Sequence, residues 1–372
     1  MNASLNKELR AVKWGEFKLV DVFAVKNTSN ILAYDIVEDS GTVPYLCASS
    51  ENNAVSAYID YDKKYLEKGN CIFIGGKTFV VTYQEKDFYS NDSHNLALYL
   101  REGVQSKAVL LYMVSCISKS LFQKYSWGNS ISKAKIQNDI LTLPITDDGA
   151  IDFGFMESFI AELEAERVAE LSAYLTVSGL DNYELSNDEM AIIERYKKQQ
   201  IPFSEFEFIK IFNNIRQGRR LKKDDQLPGN IPFVMSGTTN TGVIGYISNP
   251  VARFPKNSIT IDIFGNSFYR NYAFGAGDDT GVYWNTEKEY SRTCMLFFAA
   301  AMGRSLRGKY SYGKKLRSSQ SIHFKMQLPT KDGKPDYDTM AALISAVQKL
   351  VIKDVVLYAD RKIETTKAIT KH

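Results

Sequence analysis

The chain repeats itself, and that repetition limits what it can fold into more than any other feature. WGEFKLVDVF (Trp14 to Phe23) returns as FSEFEFIKIF (Phe203 to Phe212), offset by 189 residues. GTVPYLCASSENNAVSAYID, from Gly41, returns as GNIPFVMSGTTNTGVIGYIS, from Gly229, at offset 188. NCIFIGG at Asn70 matches NSITIDI at Asn257, offset 187. YSWGNSISKAKIQNDILTLP, from Tyr125, matches YSYGKKLRSSQSIHFKMQLP, from Tyr310, at offset 185, and Asp152 matches Asp336 at 184. Offsets that shrink slowly and in order mean two tandem copies with small deletions in the second. Solenoid repeats are much shorter, so this is a duplicated domain.

Within each copy, short apolar runs alternate with Gly, Asn and Asp clusters, which is the pattern of strands and turns. FKLVDVF, CIFIGG, TFVVTY and LALYL are read as strands of the first copy. AVLLYMVSCI, from Ala108, and CMLFFAAAM, from Cys294, fall at matching places and read as buried helices, too short to span a bilayer. The expected class is mixed α/β. The expected boundaries are 1–150 for the first copy, 151–200 for a central helical spacer, 201–334 for the second copy and 335–372 for a C-terminal helix.

The spacer shows apolar residues at helical spacing, Met156, Phe159, Ile160, Leu163, Leu171, Tyr174 and Leu175, with glutamates on other faces. Gly179 is placed to end that helix, and Ser186 with Glu189 forms a capping box for MAIIERYKKQQ, which Pro202 closes. At the C-terminus Met340, Ile344, Val347, Val351, Asp354 and Tyr358 follow a 4-3-4-3-4 spacing, with Leu343, Leu350 and Val355 alongside. An apolar seam of that kind needs a partner helix. The candidate is the helix beginning near Asp152, and antiparallel pairing would relate the copies by a pseudo-twofold axis.

The formal net charge is only +3, but it is unevenly spread. Arg304 to Lys325 holds seven Lys/Arg and no acid, Asn213 to Lys223 holds five and no acid, and Ser118 to Gln137 holds four Lys and no acid. Basic stretches interleaved with Tyr, Trp, Ser, Asn and Gln are the footprint of a phosphate-backbone binder. The alternative is a solvated basic face. Two of the three runs occupy equivalent positions of the repeat.

Catalytic signatures are missing. There is no G-x-x-x-x-G-K-[ST] loop, no G-x-G-x-x-G opening a helix, no H-E-x-x-H and no G-x-S-x-G. SNPV at Ser248 lacks the second proline and the aromatic of an amino-methyltransferase motif. GGKTF at Gly75 is a weak phosphate cradle, and Asp92, Asp278 and Asp279 are better explained by turns. His94, His323 and His372 lie far apart, and cysteines 47, 71, 116 and 294 show no C-x-x-C spacing, so no disulfide framework or zinc site is expected. The N-terminal MNASLNKELR has no apolar signal core, and a cytoplasmic setting is expected.

VPYLCASSENNAVSAYID and IPFVMSGTTNTGVIGYIS are similar to the Pro-aromatic, Asn-x-x-Val, Tyr-Ile stretch of one family's recognition domains. With the aromatic-x-x-Phe opening of each copy and the LP that leads into a helix, the chain resembles the specificity subunit of type I, or BcgI-like, restriction–modification systems. The resemblance runs from about Lys13 to Lys367. It implies two target-recognition domains, each reading one half of a bipartite DNA site. It also implies helices that set the distance between the halves and dock modification subunits, a pair of them by expectation. Those methyltransferase subunits would bring S-adenosylmethionine, and this chain would carry no cofactor, metal or catalytic residue. Restriction subunits are further candidate partners, and no membrane is implied.

The basic loops are the expected DNA contacts. In the first copy Lys119, Lys124, Lys133 and Lys135 are assigned to phosphates, with Trp127, Asn129 and Ser130 nearer the bases. In the second, Arg304, Arg307, Lys309, Lys314, Lys315 and Arg317 flank Tyr312, Gln320 is a candidate for adenine, and Arg216, Arg219 and Arg220 form a separate patch. Trp127 and Tyr312 could equally be core residues. Because NSISKAKI and KKLRSSQS differ sharply, an asymmetric target is expected. The competing readings are a helical scaffold and a stand-alone DNA-acting enzyme.

Overall fold

The computed structural model describes residues 3–369, with side chains of 4–366. His372 lies outside the described residues. The chain divides into two compact units, one running to Leu171 and taking in the segment from Ala359 onward, the other Ser172–Tyr358.

In the first unit, helix α1 (Ala3–Ala11) precedes strand β1 (Lys13–Lys18), the helical turn α2 (Leu19–Val22) and β2 (Phe23–Asn27). Then follow β3 (Val43–Leu46), β4 (Val55–Ile59), β5 (Cys71–Ile74), β6 (Val81–Gln84), β7 (Tyr89–Ser90) and β8 (Leu96–Leu100). Helix α3 (Lys107–Ser120), β9 (Ile140–Ile145) and the long α4 (Phe153–Val177) complete it. The strands form sheets of order β2-β8-β5-β6, β4-β3-β7 and β1-β9.

The second unit repeats the plan. It begins with α5 (Asn187–Lys197), β10 (Phe203–Glu207), the helical turn α6 (Phe208–Ile211) and β11 (Asn214–Gln217). Next come β12 (Pro228–Val234), β13 (Val243–Ile247), β14 (Arg253–Phe254), β15 (Ser258–Asp262), β16 (Ser267–Arg270), β17 (Phe274–Ala276) and β18 (Thr280–Trp284). Last are α7 (Arg292–Leu306), β19 (Lys325–Lys331), β20 (Lys334–Pro335) and α8 (Tyr337–Ile369). Its sheets run β11-β18-β15-β16, β13-β12-β17-β14 and β10-β19-β20. Strand for strand this is the order of the first unit with a short added edge in two sheets. Even the parallel pair recurs, β3 with β7 and β12 with β17.

Each unit's main core forms where its buried helix meets the four-stranded sheet. Val109, Leu110, Met113, Cys116 and Ile117 of α3 pack on Ile72, Ile74 and Leu98. Met295, Phe298 and Met302 of α7 pack on Ile259, Ile261 and Tyr283. A Ser N-cap starts each helix, Ser106 accepting from Val109 N and Ser291 from Cys294 N.

Three sequence expectations change. FKLVDVF is not one strand: Leu19–Val22 makes a helical turn between β1 and β2, and FEFIKIF does the same at Phe208–Ile211. Leu19 N donates to Asp139 O and Phe208 N to Phe324 O, which carries each strand pairing one residue further before the chain turns into its helix. In TFVVTY only the second half is extended, since β6 begins at Val81. Along α8 the buried positions are Met340, Leu343 and Ala346, then Val356 and Ala359, whereas Val347 and Val351 of the expected seam are 48% and 74% exposed. Leu343 packs against Ile192 and Ile201, which rotates the helix away from the heptad reading.

The caps hold as read. Gly179, at φ +64, follows α4, and Leu180 N donates to Leu175 O in a Schellman closure. Ser186 and Glu189 cap α5 reciprocally. In the first unit the end of α8 meets α4 through Lys362 Nζ and Glu164 Oε1, 2.7 Å apart. Among the described residues no helix is long and apolar enough to cross a membrane.

Candidate nucleic-acid interface

The passage written twice in the sequence becomes the same loop in both units. In the first it leaves α3 at the buried Leu121 and returns to β9 through the buried Ile131 and Ile136. Ser126 and Asn129 exchange backbone hydrogen bonds of 3.1 and 3.0 Å, closing a two-residue hairpin with Trp127 at its tip. Trp127 is 76% exposed. In the second unit Ser311 and Lys314 exchange bonds of 3.1 and 3.0 Å, and Tyr312 at that tip is 80% exposed. Neither aromatic belongs to the core. Each is held out in water by a tight turn, at the same place in the two units.

The base of the first hairpin is fixed by Asp139, which is fully buried. Tyr125 Oη donates to its Oδ2 at 2.6 Å, and Lys124 Nζ pairs with its Oδ1. Burial pushes the Tyr125 phenol above its ordinary pKa, and the adjoining carboxylate acts in the same direction, so the phenol stays a donor. Lys124 is thereby drawn to the base of the loop, its side chain still half exposed. Lys135 Nζ donates to Asn129 Oδ1 at 2.7 Å and to Ser130 O at 2.8 Å, while Asn129 Nδ2 donates to Lys124 O at 2.9 Å. Those three hydrogen bonds brace the loop. Lys119 and Lys133 are exposed beside it.

In the second unit the residue matching Asp139 is Phe324, whose ring lies 6.2 Å from that of Phe208. Here two lysines lie over the tyrosine rings, and Arg317 with Gln320 braces the loop. Lys315 Nζ lies 4.4 Å from the Tyr312 ring centroid and Lys314 Nζ 5.9 Å from that of Tyr310. Arg317 Nη1 donates to Asp278 O, and Gln320 Oε1 accepts from Arg317 N at 3.0 Å, so Gln320 has one amide edge engaged.

The strand bearing Arg216 is tied to the basic loop through Gln217. Gln217 Nε2 donates to Asp278 O at 3.0 Å and its Oε1 accepts from Ser318 N at 2.8 Å, stitching β11 to the basic loop. Arg216, one residue along and therefore on the other sheet face, lies over Trp284 at 5.7 Å. Arg219 N donates to Ala276 O, and the side chains of Arg219 and Arg220 are exposed. Arg304 and Lys309 diverge from this group. They line a groove of about 1290 Å³ with Tyr196, Phe203, Val347 and Leu350. Arg307 is exposed where α7 ends.

Two of the carboxylates open to a catalytic reading accept backbone hydrogen bonds, Asp92 within its own turn and Asp279 from a neighbouring strand end. Asp92 accepts from His94 N at 2.9 Å and pairs with Lys77 at 2.9 Å. Its partial burial favours the neutral form, but the His94 and Lys77 contacts outweigh it and hold the carboxyl at about 2. Lys77, the lysine of GGKTF, is thereby committed. Asp279 accepts from Ser236 N at 3.0 Å. Among the described residues no group of His, Cys, Asp and Glu is placed to hold a metal ion.

Sequence reasoning passed over one loop in each unit. Asn52, Asn53 and Ala54 all have positive φ, and so do Asn240, Thr241 and Gly242. The signal was there as NNAV and NTGV at matching positions of the repeat.

Two copies of one mixed α/β domain, each presenting an aromatic-tipped basic loop, define a duplicated nucleic-acid recognition protein. The family model "Type I restriction modification DNA specificity domain" matches residues 11–173 and again 204–356, so the chain belongs to that family. It is a DNA sequence-recognition subunit of a restriction–modification system and is itself non-catalytic, the chemistry lying in partner subunits. It is 24% identical over 349 residues to the type II restriction enzyme BgcI specificity subunit S.BcgI of Heyndrickxia coagulans, covering 92% of this chain and 96% of that one. The crystal structure of a type I restriction–modification S subunit from M. genitalium has the same fold, with a TM-score of 0.56 at 14% identity over 96% of this chain and 94% of that one.

Proposed function

We propose that each unit reads one half of a bipartite, asymmetric duplex DNA target, and that the two hairpins at Trp127 and Tyr312 lie at the DNA. The observation that carries this is the recurrence of one exposed aromatic, on one kind of turn, in units whose flanking chemistry differs. The first hairpin is braced by Asp139 and Lys135, the second by Arg317 and Gln320. Different chemistry on one scaffold is what two unlike half-sites require.

The helices are the spacer in this reading. At about 1.5 Å per residue, the 25 residues of α4 extend roughly 37 Å, close to one turn of B-DNA at about 34 Å. The apolar residues that α8 leaves exposed, Val347, Leu350 and Val351, form a docking surface for modification subunits, two in number. Those subunits bring S-adenosylmethionine and methylate DNA, restriction subunits or a nuclease domain cut it, and the complex works in the cytoplasm.

The test is selection from randomised duplex DNA by the full chain with whatever co-purifies. Two short blocks at a fixed gap, unlike each other, are the expected result. A pool with no sequence preference would overturn the reading. Trp127→Ala and Tyr312→Ala should each leave the melting temperature unchanged, since exposed side chains contribute within about 0.5 kcal/mol. Each should weaken binding about tenfold, a stacking or groove contact being worth roughly 1–3 kcal/mol. Loss of stability instead would return these aromatics to the fold.

A further inference from the structure

The loops with three consecutive left-handed residues sit between β3 and β4 and between β12 and β13. Asn52, Asn53 and Ala54 have φ of 47, 53 and 68°, and Asn240, Thr241 and Gly242 have 46, 52 and 85°. Side chains resist this region, β-branched ones most of all, so Thr241 is held there against its preference. At Gly242 an added Cβ would meet Met235 O at 2.5 Å, so even alanine is barred.

A buried polar side chain from the neighbouring sheet reaches the backbone of each loop. Gln84, 3% exposed, donates through Nε2 to Asn53 O at 3.0 Å. Arg270, 1% exposed, donates through Nη2 to Thr241 O and through Nη1 to Thr241 Oγ1 at 2.9 Å. The two anchors occupy the same place in the ladder, Gln84 opposite Cys71 and Arg270 opposite Ser258. Among the described residues Arg270 makes no ion pair; Thr260 Oγ1 and Tyr272 Oη each accept from a further N–H of its guanidinium. A buried guanidinium without a carboxylate is costly. Its position is kept while its chemistry is exchanged for that of an amide.

Each loop also abuts the turn that supports the aromatic-tipped hairpin. In the first unit Thr78 Oγ1 donates to Ala48 O at 2.9 Å, and Ile131 N of the basic loop donates to Gly76 O at 3.0 Å. In the second, Ser236 N donates to Asp279 Oδ2 while Arg317 Nη1 donates to Asp278 O. The left-handed loops carry no Lys or Arg; their exposed side chains include Glu51, Thr238 and Thr239. Beside a loop rich in cations, a rigid loop of carboxylate, amide and hydroxyl groups without a cation suits base edges, where such groups discriminate, and its carboxylate is unsuited to a phosphate.

We propose that Glu51–Ala54 and Thr238–Gly242 are the base-reading loops of the two half-sites, with Gln84 and Arg270 as their positioning residues. The inference rests on the bipartite reading above. Its test is selection from the same randomised duplex pool by the full chain with its co-purifying partners. Glu51→Gln should change the preferred base at one position of one half-site, discrimination there shifting about tenfold, because a carboxylate accepts from cytosine while an amide suits adenine. Thr238→Ala with Thr239→Ala should blur the other half-site only. Arg270→Ala should blur that same half, and Arg270→Gln, the anchor of the first unit, should restore it. A wild-type consensus reproduced unchanged by Glu51→Gln and by the threonine pair would overturn the inference while leaving the bipartite reading intact. A wild-type pool without consensus would overturn both.

Discussion

Replacing Lys314, Lys315 and Arg317 together by alanine should weaken DNA binding about a hundredfold at about 0.15 M salt. It should also flatten the plot of log affinity against log salt. Each phosphate left without its cation takes about 0.9 from the slope, because neutralising a phosphate releases condensed counterions. Three such phosphates would take roughly 2.7, and two about 1.8. The structure gives a reason to separate these values. Lys314 and Lys315 rest over tyrosine rings, an arrangement that leaves an ammonium free to turn toward a phosphate. Arg317 donates one Nη1 to Asp278 O and so doubles as a brace for the loop. A single Arg317→Ala variant should therefore cost some selectivity as well as slope, whereas the two lysines should cost slope alone. The base preferences of the double lysine variant should match the wild type, since phosphate contacts fix register without reading sequence. Fluorescence anisotropy on one duplex from about 50 to about 300 mM salt measures the slope. An unchanged slope would remove this loop from the interface.

How far such residues could be found from sequence depends on what fixes them. The duplication was legible because five collinear blocks survive, and the sheet orders repeat it. Caps were legible because they are local: Ser186 and Glu189 lie three residues apart, and Gly179 closes its own helix. Exposure of Trp127 was not legible. An aromatic in a run of Tyr, Ser and Gly is equally suited to a core, and only the Ser126–Asn129 closure turns it outward. The brace on Lys124 was hidden for a similar reason. Its partner Asp139 is 15 residues away and reads as an ordinary loop acid until Tyr125 buries it. Along α8 the heptad pattern was real, but helix periodicity does not say which of two adjacent stripes meets the neighbour. Ile192 and Ile201 select the stripe through Leu343 and leave Val347 and Val351 outside. The left-handed loops needed φ angles, which no propensity supplies for Ala54 or Thr241.

The second large effect is expected at Glu189, where the capping box of α5 is also the tie to α8. Glu189 Oε2 accepts from Ser186 N at 2.8 Å and from Lys349 Nζ at 2.8 Å, and Oε1 accepts from Ser345 Oγ at 2.6 Å. Lys349 is itself only 21% exposed and also donates to Glu184 O at 2.9 Å. Glu189→Ala would leave that ammonium without its counter-charge, together with an unfilled cap, a loss on the order of 3–5 kcal/mol at pH 7. Burial by itself favours the neutral acid, but the hydrogen bonds from Lys349, Ser345 and Ser186 outweigh it and hold the carboxyl at about 2. A folded pKa below the ordinary carboxylate value means the stabilisation is complete above that ordinary value and is lost as the pH falls toward 2. Roughly half of it should be gone by pH 3. Glu189→Gln keeps the cap, which accepts either residue at this position, but not the charge. Wild type should therefore exceed the glutamine variant clearly at pH 7 and by roughly half as much at pH 3, in urea unfolding of the full chain. A gap that stays constant across that range would mean that packing against Leu343, and not the ion pair, joins α5 to α8.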